Sequence, residues 1–134
     1  MKMQDLVPTL DTCRALMEAG FPQDTALAWC REPGGGEVVR EPHRHSGKPL
    51  CAAPTLAEVL GELPDSVANG NRGYKSRSLI IRGGRIGYEP KSKPFLDYSH
   101  PFTFGPISAE AAARLWLALV EAGHVTPRTG EVAR

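Results

Sequence analysis

Two β-forming runs meet at Gly83-Gly84: Ser78-Leu79-Ile80-Ile81-Arg82 before it and Arg85-Ile86-Gly87-Tyr88-Glu89 after it. A two-residue hairpin turn needs positive φ at its central positions, which glycine tolerates without steric cost. The turn also fixes the register. Arg82 falls opposite Arg85, Ile81 opposite Ile86, Ile80 opposite Gly87 and Leu79 opposite Tyr88. Leu79, Ile81, Ile86 and Tyr88 then share one face, which is the predicted core face. Such a ribbon is not stable alone, so the rest of the chain must supply a layer that covers this face.

Three helices are expected to do so. The first starts at Thr9, whose hydroxyl can cap the amides of Asp11 or Thr12. Leu10, Cys13, Leu16 and Met17 recur at helical spacing, and Gly20 stands where a left-handed residue ends the helix. The second carries a capping box, Thr55-Leu56-Ala57-Glu58, and buries Leu56, Val59, Leu60 and Leu63 before Pro64 stops it. The third is capped by Ser108 and has Glu110 in its first turn, where the helix dipole favours an acid. Its apolar face is Ala112, Leu115, Trp116 and Leu119, and Gly123 ends it.

A second hairpin is expected between the first two helices. Residues 25–31 read as a strand, Pro33 to Gly36 as a turn and Glu37 to Arg40 as the returning strand, with 41–50 a polar loop. Residues 65–74 read as a turn-rich loop, and a short edge strand is expected near Phe95 to Tyr98. The predicted fold is α+β, in the order α-ββ-α-ββ-α. It has one small antiparallel sheet of about four strands, in two hairpins, packed against three helices. At 134 residues the chain fits a single domain, here residues 1–126, with 127–134 a disordered tail.

No window approaches the ~20 apolar residues of a membrane helix, and the N-terminal run has no signal-peptide core. Three widely spaced cysteines, Cys13, Cys30 and Cys51, do not form a disulfide framework. The expected location is therefore the cytosol.

The net charge is only +1, yet residues 72–93 hold seven bases and one acid. Arg77, Arg82, Arg85, Lys91 and Lys93 of this stretch are the candidate anion contacts. Arg82 and Arg85 face each other across the turn, where like charges disfavour pairing and a bound phosphate would relieve the repulsion. The competing reading is a solvated hairpin that uses cations against edge aggregation. Four aromatics in a Pro-rich loop, Phe95, Tyr98, Phe102 and Phe104, either cover the core or form a partner surface.

Other residue groups carry less. His43-Arg44-His45, with Cys51 beyond, has two imidazoles and a thiol but no zinc-site spacing. Asp97, Ser99 and His100 contain the residue types of a hydrolase triad, but neighbours in one extended loop cannot align as nucleophile, base and orienter. The glycine runs at 34–36 and 83–84 lack the spacing of a phosphate loop. No catalytic centre, metal site or cofactor site is recognisable, and the chain reads as a non-enzyme.

The runs PTLDTCRALMEAGFPQDTALAWC, AAPTLAEVLGELP and AARLWLALVEAGHV resemble a family of small phage- and prophage-encoded proteins with no established activity. These blocks are core and cap patterns, so the resemblance implies descent and transfers no functional residue. It implies an accessory protein in the cytosol of a host cell. The leading expectation is a non-enzymatic protein that binds a nucleotide or nucleic acid through the basic hairpin. The alternative is a modulator or inhibitor of a host enzyme or defence system, acting through the aromatic loop.

Overall fold

The computed structural model describes residues 2–42, 49–64, 66–68, 76–82, 84–90, 103–104 and 106–127. A 3-10 turn, Met3–Leu6, precedes helix α1, Leu10–Glu18. Strands β1 (Ala28–Arg31), β2 (Glu37–Arg40) and β3 (Pro49–Ala52) follow, then helix α2, Leu56–Glu62. Strands β4 (Ser66–Ala68), β5 (Ser76–Arg82), β6 (Arg85–Pro90) and β7 (Thr103–Phe104) lead to helix α3, Ala109–Glu121. The α+β class holds. Among the described residues no helix is long and apolar enough to cross a membrane.

The helix caps form as their residue types require. Thr9 Oγ1 accepts from the Thr12 amide at 3.3 Å, and Ser108 Oγ from the Ala111 amide at 3.0 Å. At α2 the capping box is reciprocal. The Glu58 amide donates to Thr55 Oγ1 at 3.4 Å, and the Thr55 amide donates to Glu58 Oε1 at 2.9 Å. Gly20 and Gly123 end α1 and α3 with φ of 94° and 83°.

The strands form two sheets where the sequence suggested one. The first has the order β2-β1-β3 and the second β4-β5-β6-β7, with every pairing antiparallel. The reason lies at the edges of the first sheet. The Ala52 amide of β3 donates to Gln23 Oε1 at 2.9 Å, and the 3-10 turn packs beside β2. Edges closed in this way have no free ladder for the second hairpin to join. The strand read at 25–31 begins only at Ala28, because the Ala26 amide bonds Glu58 Oε2 at 3.0 Å instead of a strand. Strands β3 and β4 lie partly or wholly in segments read as loops. The edge strand expected near Phe95 to Tyr98 lies outside the described residues, and so does most of the tail 127–134.

Two apolar clusters result. The larger joins Leu16 and Phe21 with Val59, Leu63, Ile86, Tyr88 and the inner face of α3 around Leu115, Trp116 and Leu119. Phe21 meets Trp116 edge-on, with ring centroids 4.9 Å apart and planes at 81°. The smaller gathers Val7, Cys13, Leu27, Val39, Cys51 and Ala53 over the first sheet. Helix α1 lies between them, with Leu16 in one cluster and Cys13 in the other.

Candidate functional site

The β5–β6 hairpin has the register expected of a Gly-Gly turn. Arg82 pairs with Arg85, Ile81 with Ile86, Ile80 with Gly87, Leu79 with Tyr88 and Arg77 with Pro90. Gly84 has φ of +73°, the left-handed value such a turn demands. Ile86 and Tyr88 are fully buried, and Leu79 packs partly buried against the same cluster. Ile81, placed on the core face from sequence, is instead 50% exposed. Strand β4 pairs with β5 only at positions 76–78, so the Ile81 end of β5 is an open edge among the described residues.

The pairing divides the candidate cations. Arg77 occupies the same alternation set as Leu79 and Ile81, whereas Arg82 stands in the opposite set, with Arg85 across from it. Five residues separate Arg77 from Arg82, about 17 Å along an extended strand. One small anion cannot span that distance or bridge both faces. Arg82 and Arg85 therefore mark one end of the hairpin and Arg77 the other. Arg85 is partly exposed, and Gly87 on its face is buried. Lys91 and Lys93 lie outside the described residues, as do Phe95, Tyr98 and Phe102. Phe104 belongs to β7, at the register position opposite the buried Ile86.

The turn is tethered. The Ile107 amide donates to the Gly84 carbonyl at 2.9 Å. The next residue, Ser108, caps α3, so the hairpin tip is held beside the N-terminal end of that helix. Nothing in the sequence signals this bond, because a backbone amide carries no residue signature.

The first turn of α3 holds one carboxylate, Glu110, and it is engaged. Oε1 accepts the Thr9 amide at 2.9 Å. Oε2 accepts the Thr12 hydroxyl at 2.7 Å and the Arg114 Nε–H at 2.8 Å. Burial pushes this carboxyl up, but the hydrogen bonds from Thr12, Thr9 and Arg114, with the Arg114 charge, outweigh it and hold it below its ordinary value. Glu110 thus caps a helix other than its own and joins α1 to α3.

The three cysteines are buried thiols. Burial raises all three, and Cys13, which also feels the nearby Cys51, is pushed up to about 12. Among the described residues no group of three or more His, Cys, Asp or Glu side chains could hold a metal ion. His43, His45, Asp97, Ser99 and His100 lie outside those residues.

One further concavity is an open cleft of about 320 Å³ between the C-terminal ends of α2 and α3, lined by residues that include Gly61, Leu63, Trp116 and Val125. Its walls come from segments far apart in sequence, which is why no local motif announces it.

No family model, curated protein or solved structure matches the chain, so its chemistry rests on its own residues.

Proposed function

We propose that this is a non-enzymatic accessory protein of phage type that binds a polyanion, a nucleic acid in preference to a mononucleotide, along the β5–β6 hairpin. The observation that carries the reading is the direct opposition of Arg82 and Arg85 across the Gly84 turn. Two guanidinium-bearing residues at paired positions destabilise a ribbon in the absence of an anion. A phosphate between them converts that repulsion into charge-assisted hydrogen bonds. The tether from Ile107 to Gly84 supports a rigid tip, and the adjacent N-terminal end of α3 has the dipole sign that favours an anion.

The preference for a polymer follows from spacing. Arg77 at the far end of β5, with Lys91 and Lys93 following in the chain, forms a second cationic group about 17 Å away. Two phosphate-binding ends at that separation suit a strand carrying several phosphates.

The test is titration of labelled single-stranded and duplex oligonucleotides and of ATP, at low and moderate salt. Oligonucleotide binding is expected to weaken with a log–log salt slope near −0.7 to −0.9 for each phosphate contacted. The double variant Arg82→Glu, Arg85→Glu is expected to abolish binding to oligonucleotides and leave the fold intact by circular dichroism. Unchanged affinity of that variant for every probe would overturn the reading. Capture of a host protein that survives nuclease treatment and the double reversal would favour the modulator reading instead.

A further inference from the structure

The cleft between the helix ends has properties that the basic hairpin does not explain. At about 320 Å³ it stands at the small end of the range of ligand pockets. Leu63 and Trp116 at its base are nearly fully buried, and Val125 is partly buried against the same cluster. Glu62 and His124 form part of its rim.

Gly61 is the unusual wall residue. It sits inside α2 without a positive φ, so no turn requires glycine there. A methyl group at this position would meet no neighbouring atom within 4 Å, so no close approach within the protein requires it either. Glycine within a helix is nonetheless unfavourable relative to alanine. The space left bare at Gly61 belongs to the cleft.

The electrostatics of the cleft have one sign. Helices α2 and α3 both end here, with their carbonyl-bearing, negative dipole ends toward it. Neither has a basic residue in its last turn, and no lysine or arginine lines the cleft. Glu62 and Glu121 end the two helices and add acid at that side.

We infer that this cleft is a second binding site, for a small organic cation. An ammonium head group lies toward the helix C-termini and Glu62, and a compact apolar body lies over Gly61 against Leu63 and Val125. The site is independent of the hairpin and opposite to it in charge preference.

The test uses benzylammonium as the probe, with benzoate and benzyl alcohol as matched controls. Each is titrated into the full chain while amide shifts are followed by two-dimensional NMR. Benzylammonium is expected to give saturable, millimolar-range shifts at Gly61, Leu63 and Val125, as suits a fragment of its size. Benzoate is expected to give none and benzyl alcohol weaker ones. Gly61→Leu fills the cleft and is expected to weaken benzylammonium binding by at least about tenfold. Gly61→Ala is expected to raise Tm by roughly 2–4 °C, since alanine stabilises a helix. The inference falls if benzoate binds as well as benzylammonium. It also falls if the cleft amides do not saturate, or if a folded Gly61→Leu binds the probe like the parent. None of these outcomes bears on the hairpin, whose probes are anions.

Discussion

Glu110 has the greatest reach of any single described side chain. Its three bonds, to the Thr9 amide, the Thr12 hydroxyl and Arg114, all favour the ionised form, so its folded pKa lies below the unfolded one. A carboxyl lowered in this way stabilises the fold above its unfolded pKa, and the contribution is lost as pH falls through the folded value. Glu110→Gln removes the charge and mismatches one donor, so it is expected to cost about 1–3 kcal/mol at neutral pH. Its stability should also change less than the parent's between neutral pH and about pH 3. Urea midpoints measured across that range check both points, and parallel curves for the two proteins would refute the account. The thiols give a second prediction at this scale. With Cys13 pushed up to about 12 and all three side chains buried, the native protein should react with a thiol reagent only through transient opening. Labelling rates should rise with denaturant, and rapid modification of any cysteine in the native state would contradict this.

At the scale of the elements, caps and turns carry the specification. Glu58 completes the α2 capping box and also takes the Ala26 amide, tying the segment before β1 to α2. Glu58→Ala should therefore cost more than an ordinary cap deletion, about 2 kcal/mol against about 1 for Thr55→Ala, read from thermal or urea unfolding. Gly84→Ala, at φ of +73°, is expected to cost roughly 1 kcal/mol through backbone strain alone. These features were legible in the sequence because each rests on neighbouring residues: Thr with Glu three positions on, Ser before an apolar stripe, two glycines between β runs. The features that were not legible depend on remote partners. Pro49-Leu50-Cys51-Ala52 has no polar alternation, since its last two residues and Ala53 are all buried, and only pairing with β1 makes it a strand. Ile81 follows the core pattern but is exposed because β4 ends too soon to cover it. The candidate site divided in the same way. Local turn chemistry gave the opposition of Arg82 and Arg85, whereas the Ile107 tether and the cleft at Gly61 arise from contacts across the chain.

At the scale of the whole molecule, the question is whether two sheets and two apolar clusters make one cooperative unit. The connections argue that they do. Helix α1 places Leu16 in one cluster and Cys13 in the other. Glu110 clasps the start of α1 to α3, and Glu58 links α2 to the strand before the first sheet. Separating the two clusters would expose both faces of α1 and break these charge-assisted bonds, which a chain of this size cannot do without losing most of its stability. Nature has also placed one tryptophan at each cluster: Trp29 packs against the smaller, with its indole N–H on the Pro8 carbonyl at 3.2 Å, and Trp116 lies inside the larger. The variants Trp29→Phe and Trp116→Phe each leave a single reporter. In each variant, urea unfolding followed by fluorescence and by far-ultraviolet circular dichroism is expected to give the same midpoint and slope. A reporter that moves well before the circular dichroism would mean that its cluster unfolds separately. Helix α1 would then be a hinge between two units, and the basic hairpin and the first sheet would have to be treated as independent bodies.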